Sequence, residues 1–190
     1  MKDNTLDKVI SIADAEKLGI PRGKLAALCA RGAVERISRG IYAPRNYASE
    51  NVEIEILARR GYAFVVALES ALRFHGIAAT RALEVSVAMK RGARKPAVDF
   101  PLRVVRLGSA SLEAGVEEHD VNGCVVRVFS AAKTVADLFM FRNKMGMDLA
   151  KEALRDGFAK RRFTIDELAR YAAIDRVTNA ITPYLDALFA

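Results

Sequence analysis

Residues 19–44 read GIPRGKLAALCARGAVERISRGIYAP, and this stretch decides the fold of the N-terminal part of the chain. Pro21 suits the first position of a helix, and the apolar spacing that follows predicts a helix over 22–31 that Gly32 ends. Residues 33–37 alternate apolar and charged side chains, which predicts a strand. A tight turn through Ser38-Arg39-Gly40 then leads into a returning strand at 41–43.

The segment before this stretch predicts a first helix over residues 6–20. Its apolar residues fall at roughly helical spacing, and Gly19 is a typical helix stop. The order is therefore helix, turn, helix and hairpin, which is the order of a winged helix-turn-helix. We expect this domain to occupy residues 1–47, with a linker around 44–50.

The remainder, residues 48–190, predicts a second domain of mixed α/β type. Amphipathic helices are expected over 50–60 and 64–75, and strands over 83–89 and 102–107. Asn122-Gly123 between two apolar runs, 115–121 and 124–129, is a strong hairpin signal. Four helices are expected over 130–142, 147–160, 164–173 and 177–188, with Ser130 and Thr164 as N-caps. The predicted fold class is α+β, with a small sheet and a helical C-terminal third.

The charge of the chain is basic and unevenly distributed. The formal net charge is +7, which favours phosphate-bearing partners. Residues 17–45 hold seven basic side chains against one acidic side chain, and residues 81–106 hold seven against two. Most of the remaining charge nearly cancels, so the two basic segments are the candidate contacts for an acidic partner.

The first basic segment has the pattern of a DNA reader. In a helix-turn-helix the second helix lies in the major groove, with its N-terminal residues near the base edges, and the wing lies against the backbone or minor groove. Arg22, Lys24 and Arg31 are the candidate contacts on the helix. Arg36, Ser38 and Arg39 are the candidates on the wing. Two alternatives remain open, since basic helix surfaces are commonly only solvated and winged helices also serve as protein-interaction modules.

The second basic segment includes a loop, Lys90-Arg91-Gly92-Ala93-Arg94-Lys95. Lys90, Arg91, Arg94 and Lys95 are expected to project from a hairpin or loop between two strands. They form a possible second basic contact, with nucleic acid or with an acidic partner, and a merely solvated loop is the alternative.

Residues 19–44 resemble the N-terminal winged helix of AbiEi-type antitoxins from type IV toxin–antitoxin systems. The Gly-Ile-x-Arg opening, the Leu-x-x-Leu helix and the Arg-Gly-Ile-Tyr wing carry the resemblance. Residues 67–76, ALESALRFHG, and 126–153, VRVFSAAKTVADLFMFRNKMGMDLAKEA, resemble the C-terminal domain of that family.

The resemblance implies a protein of abortive infection, a form of phage defence. It implies that the winged helix binds repeats in double-stranded DNA of its own promoter and represses transcription. It also implies that the C-terminal domain counters a nucleotidyltransferase-like toxin encoded next to it. A protein-interaction module, or a generic transcriptional regulator without a toxin partner, is the alternative.

Other chemistries find little support in the residues. Ser130 and Lys133 have the Ser-x-x-Lys spacing of some acyl-transfer enzymes, but we interpret Ser130 as a cap and Lys133 as solvent-facing, with an i,i+4 pairing to Asp137 possible. His75 is interpreted as a hydrogen-bonding or helix-terminal residue. Cys29 and Cys124 lie in no metal-ligand spacing. We therefore expect no enzyme, no cofactor and no metal site.

The sequence also bears on location. It has no uninterrupted apolar stretch long enough to span a bilayer, and its first seven residues lack the layout of a secretory signal. We expect a cytoplasmic protein without a membrane partner.

Overall fold

A computed structural model describes residues 6–78 and 83–189, and these residues pack into two compact units. The architecture is α+β, with small sheets and a helical C-terminal third, which confirms the predicted fold class. The predicted domains, 1–47 and 48–190, stay predictions. The first unit holds the described part of Met1–Ala63, with Pro96–Phe100 and His119–Val126, and the second holds the described part of Phe64–Lys95, with Pro101–Glu118 and Arg127–Ala190.

The first unit is built on a three-stranded antiparallel sheet with the strand order β1-β3-β2. Side chains alternate between its faces, so that Ile10 packs in one cluster with Leu25 of the second helix, whereas Ile41 packs in another with Ile56 of the third helix. The elements are β1 (Ile10–Ser11), α1 (Ile12–Lys17), α2 (Arg22–Ala30), β2 (Val34–Ser38), β3 (Ile41–Pro44) and α3 (Val52–Arg59).

The predicted first helix over 6–20 is wrong at its start. Ile10 and Ser11 form β1 and pair with β3, and the helix begins only at Ile12. The Ser11 hydroxyl accepts a hydrogen bond from the Asp14 N–H, and the Asp14 carboxylate accepts one from the Ser11 N–H, which completes a capping box. Val9 and Ile10 are buried as expected, but they reach the two clusters from an extended segment.

The helix-turn-helix and the wing follow the prediction closely. Helix α2 begins after Pro21 and ends one residue before Arg31, and Gly32 has a φ of +69°, which is the left-handed conformation of a helix stop. The hairpin of β2 and β3 turns at Arg39-Gly40, and Gly40 has a φ of +75°. The N-terminal segment is thus a winged helix-turn-helix.

The second sheet has five strands in the order β6-β5-β4-β8-β7. Strands β5 and β6 are parallel, β4 is antiparallel to β5, and β4 and β8 are parallel. Asn122 and Gly123 both have positive φ, as a two-residue hairpin turn requires. The elements are β4 (Val65–Val66), α4 (Leu68–His75), β5 (Val85–Lys90), β6 (Leu102–Leu107), α5 (Ser109–Glu113), β7 (Val116–Val121) and β8 (Cys124–Phe129).

One prediction for this region is wrong. The helix expected over 64–75 starts only at Leu68, because the β-branched pair Val65-Val66 forms the central strand of the sheet. Of the two alternatives for the basic segment, hairpin or loop, the structure has the loop, because the segment leads from β5 towards β6, which runs parallel to β5.

The C-terminal third packs as successive helices around the largest core. Ser130 and Thr164 are N-caps as predicted, and Thr164 forms a capping box with Glu167. No helix in the described ranges is long and apolar enough to cross a membrane. The helices are α6 (Ala131–Met140), α7 (Arg142–Met145), α8 (Met147–Ala159), α9 (Ile165–Ile174) and α10 (Thr178–Phe189).

Lys133 of α6 is the largest departure from expectation, because it is fully buried and not solvent-facing. Its ammonium lies 2.5 Å from Asp137, as the i,i+4 spacing allows, and 2.9 Å from Asp175 at the end of α9. It also donates to the Ser111 hydroxyl at 3.2 Å and lies over the ring of Phe129. Burial raises the pKa of Asp137 to about 7; the charge of Lys133 opposes this rise and that of Asp175 adds to it.

Candidate DNA-binding surface

Helix α2 presents an exposed basic face. Leu25 is its buried anchor, whereas Arg22, Lys24 and Arg31 are all exposed. Arg22 is the first residue of the helix and Arg31 is its C-cap, so the three cations flank an outer surface about 14 Å long. Between them the exposed residues are small: Gly23, Ala26, Ala27 and Ala30. Small side chains allow another molecule to approach the helix backbone closely.

The N-terminus of α2 has no side-chain cap. Pro21 stands at the N-cap, and the first turn holds no acidic residue. The amides of the first turn of any helix have no partner within the helix, and the helix dipole adds partial positive charge there. With Arg22 and Lys24 beside these amides, this end of the helix can accept a phosphate oxygen.

One carboxylate competes for that end of the helix. Glu16 of α1 lies 3.5 Å from the Arg22 guanidinium, and both side chains are more than half exposed. A surface ion pair of this kind contributes little to stability. It does place a negative charge beside the first residue of α2, where it would repel a phosphate.

The wing is short and fixed at its tip. The Ile12 N–H donates to the Gly40 carbonyl at 3.2 Å, which ties the turn to the start of α1. The pairing of β2 with β3 shifts between Arg36 and Ser38, so that the strand bends there. Arg36 and Arg39 are exposed on either side of this irregularity.

Ser38 differs from the other five predicted contacts because it is buried. Its hydroxyl donates to Asp99 Oδ2 at 3.3 Å, and its carbonyl accepts from the Arg36 Nε at 3.3 Å. The structure therefore places Ser38 inside the unit, where it holds the wing and the 96–100 segment together, and not at the surface with Arg39.

Two of the predicted cations meet at one groove. Arg22 of α2 and Arg36 of β2 line the same depression of about 320 Å³. Its apolar floor and walls come from both the helix-turn-helix and the sheet: Ile12, Leu25, Ala26, Cys29 and Tyr42. The structure thus brings one candidate of the helix and one candidate of the wing to the same groove.

Residues far away in sequence hold this surface in place, and sequence reasoning did not find them. Arg59 of α3 lies 3.5 Å from Asp14 of the capping box and donates to the Gly123 carbonyl at 2.9 Å. Burial opposes ionisation of Asp14, but hydrogen bonds from Ser11 and the charge of Arg59 outweigh it and lower the pKa of that carboxyl. The Ser-x-x-Asp spacing at 11–14 was the available signal for the cap.

A buried carboxylate makes a second connection of this kind. Glu55 of α3 is fully buried and accepts hydrogen bonds from Tyr47, Ser49 and Asn122 at 2.8, 2.6 and 3.0 Å. Burial, with the neighbouring Glu55 carboxylate, raises the pKa of Tyr47 to about 12. The segment after the wing is therefore bound to α3, which explains why this helix belongs to the first unit.

The second predicted contact lies in the other unit. Lys90, Arg91, Arg94 and Lys95 are all exposed, at the end of β5 and in the loop that follows. The loop is anchored by the Arg91 N–H, which donates to the Leu107 carbonyl at 3.2 Å. Its role as a contact stays a prediction.

The remaining titratable candidates do not converge. Cys29 and Cys124 are both free thiols, and burial raises the pKa of Cys124. The described residues contain no group of three or more His, Cys, Asp or Glu that could hold a metal ion. His75 ends α4, and its Nε2 lies 2.7 Å from the Phe129 carbonyl, which agrees with its interpretation as a hydrogen-bonding residue.

Comparison with known proteins bears on both parts of the chain. A solved structure, that of the RV2827C protein from Mycobacterium tuberculosis, superimposes with a TM-score of 0.61 over 87% of this chain at 16% identity. The chain covers 66% of that protein's length, and the likeness is one of fold. No curated protein sequence matches the chain.

A family model matches the segment that carries the candidate surface. Residues 6–45 match AbiEi_4, described as a transcriptional regulator and AbiEi antitoxin, and this confirms the resemblance seen in residues 19–44. The matched segment contains the helix-turn-helix, the wing and all six predicted contacts. The match is confined to this segment, which is similar to the AbiEi_4 family of antitoxin transcriptional regulators.

Proposed function

We propose that the chain is a sequence-specific autorepressor and the antitoxin of a type IV toxin–antitoxin pair in phage defence by abortive infection. Helix α2 enters the major groove of repeats in its own promoter, and the wing contacts the DNA backbone. The rest of the chain neutralises a nucleotidyltransferase-like toxin encoded next to it. The protein acts in the cytoplasm and performs no catalytic step itself.

One observation carries the DNA-binding part of this proposal. Five exposed cations flank a small-residue helix face and a short wing within the segment that matches the family model. Arg22 and Lys24, at the uncapped N-terminus of α2, are placed for base edges and the nearest phosphate. Arg39, at the turn of the wing, is placed for phosphate alone.

The proposal predicts how affinity depends on salt. Each phosphate contact changes the slope of log K against log salt by about 0.9. The loss of one contact therefore reduces the drop in affinity between about 50 and about 200 mM salt by roughly threefold. Removal of a base-reading side chain instead lowers the preference for the specific site, by about 1–3 kcal/mol.

Fluorescence anisotropy on the chain's own upstream DNA and on a scrambled duplex tests the DNA-binding part. Arg39→Ala should lower the affinity for both duplexes and reduce the dependence of affinity on salt. Lys24→Ala should instead reduce the difference in affinity between the specific and the scrambled duplex. Arg155→Ala removes an exposed arginine on α8 and is the matched control. Equal, weak binding of the parent protein to both duplexes would contradict sequence-specific repression and leave a protein-interaction module.

A growth assay tests the antitoxin part. The neighbouring nucleotidyltransferase-like reading frame should arrest growth when it is expressed alone, and co-expression of this chain should restore growth. Lys24→Ala should still restore growth if neutralisation is independent of DNA. Absence of such a reading frame, or arrest that this chain does not relieve, would leave a transcriptional regulator without a toxin partner.

A further inference from the structure

The two outer strands of the five-stranded sheet carry opposite charge. Strand β6 lies at one edge and β7 at the other, and within the described ranges no strand pairs with the outer side of either. An unpaired edge exposes main-chain N–H and C=O groups to which another strand can bind. The side chains on each edge therefore decide which strand is accepted.

The outward groups of β6 follow from its bonds to β5. The Val85 N–H donates to the Pro101 carbonyl, and the Arg91 N–H donates to the Leu107 carbonyl, so the odd-numbered residues of β6 face β5. In a parallel ladder the alternate residues direct their main-chain groups the other way. Val104, at the middle of the strand, thus points its N–H and C=O outward.

A basic groove of about 430 Å³ runs beside this edge. Arg106 of β6 and Lys144 of α7 line it, and no carboxylate lies within ion-pairing distance of either among the described residues. The third cation, Arg103, is already paired with Glu69 and Glu84. The groove also has an apolar wall: Val104, Val105, Phe141 and Met145.

The opposite edge is acidic. Glu118 and Asp120 are exposed, alternate residues of β7, so their two carboxylates extend from the same face of the strand. The strand pairings also fix the directions: β6 and β7 run the same way, because two antiparallel steps separate them. A second copy displaced along the sheet, without reversal, would bring its β7 beside β6.

We propose that the edge of β6 binds the β7 edge of a second copy of this chain, head to tail, so that the two sheets become continuous. Both strands are six residues long, about 20 Å. Two β6 edges, or two β7 edges, would repel each other through like charges, whereas β6 and β7 attract. The edge charges thus favour the heterologous contact over a two-fold dimer. The proposal does not depend on DNA or toxin binding.

The association should be weak and sensitive to salt. One added strand is a small interface, of the size typical of transient contacts. Its charged side chains lie at exposed edges, where salt screens them. Because each added copy leaves one free β6 and one free β7, the association continues beyond two copies.

Analytical ultracentrifugation of the full chain over a wide concentration range, without DNA, tests this proposal. The weight-average mass should rise past twice the monomer mass of 20.8 kDa at low salt and fall at high salt. Arg106→Glu with Lys144→Glu should keep the protein monomeric, and so should Glu118→Lys. Arg155→Glu, on α8 and away from both edges, should behave like the parent protein.

A mixture of the two edge variants provides the decisive result. The first variant keeps its acidic β7 and the second keeps its basic β6, and the two reversed edges also carry opposite charges. The mixture should therefore associate past two copies, although neither variant associates alone. Val104→Pro removes an outward N–H without a loss of bonds to β5, and it should also block association. Circular dichroism confirms that each variant is folded.

Three outcomes overturn the proposal. A parent protein that stays monomeric at every concentration has no such contact. A mass that stops at twice the monomer indicates a two-fold dimer. Association that persists in either folded edge variant, or that is absent from their mixture, places the contact elsewhere.

Discussion

Lys133→Met should destabilise the second unit strongly, although no part of the candidate DNA-binding surface is touched. Lys133 is fully buried, and its ammonium is the shared partner of two carboxylates, Asp137 at 2.5 Å and Asp175 at 2.9 Å. Methionine preserves the length of the side chain, so the change removes the charge and its hydrogen bonds while leaving most of the volume filled.

The expected loss in the free energy of unfolding follows from the carboxylates that remain buried after the substitution. Removal of one partner from a buried ion pair typically costs about 3–5 kcal/mol, because the remaining charge is buried and uncompensated. Here two carboxylates remain, and Asp137 Oδ2 already has no hydrogen-bond partner in the structure. A loss of about 3–5 kcal/mol corresponds to a fall of about 1.5–2.5 M in the urea midpoint, for a slope of about 2 kcal/mol per molar.

Urea titration followed by circular dichroism measures this fall. Lys151→Met is the matched control: Lys151 pairs with Asp148 at 3.2 Å on the surface of α8, and loss of this pair should cost about 0–1 kcal/mol. Asp137→Asn in the Lys133→Met background should recover part of the loss, because it removes one stranded charge. A Lys133→Met midpoint within the range of the control would refute the reasoning.

Three further predictions concern single residues. Burial raises the pKa of Asp137, so its protonated form stabilises the fold. This stabilisation is fully present below pH 3.8 and is lost as the pH rises through about 7. The urea midpoint of the parent protein should fall over this pH range for that reason, and the midpoint of Asp137→Asn should lack this fall. Glu16→Gln should raise DNA affinity by up to about fivefold at low salt, since it frees Arg22 and removes a repelling charge; an unchanged affinity in anisotropy would mean that no phosphate lies there. Ser38→Ala should cost about 0.5–1.5 kcal/mol of stability and leave the salt slope of DNA binding unchanged; a slope lowered by about one unit would show that Ser38 contacts phosphate.

The sequence predicts those elements whose signals are local. Pro21 and Gly32 bound α2 because the ring of proline and the positive φ of glycine act on their own positions. Asn122-Gly123 specifies its hairpin for the same reason. Thr164 and its partner three residues later form the expected cap, which needs no information from the rest of the fold.

The elements that were predicted wrongly are those whose secondary structure depends on a strand that is distant in the sequence. Val65-Val66 lies beside a helical stretch, and it becomes a strand because β5 and β8 flank it on both sides. Ile10 and Ser11 become a strand because β3 is available to pair with them. The spacing of apolar residues in a short segment is compatible with a helix or with a strand. The strand that pairs with the segment lies elsewhere in the sequence, so the segment alone does not reveal it.

The same limit applies to the candidate contacts, and two lysines illustrate it. Lys24 and Lys133 are each the third residue of a helix, with apolar residues around them, and the local pattern treats them alike. Lys133 is buried because Asp175, 42 residues later, is brought over it by α9. Within residues 6–78 and 83–189 no comparable acidic residue covers Lys24, which stays exposed. A basic residue therefore becomes a credible contact for phosphate only after the fold has shown that no carboxylate of the chain holds it, and by this criterion Lys24 and Arg39 are stronger candidates than Arg22, which Glu16 partly neutralises.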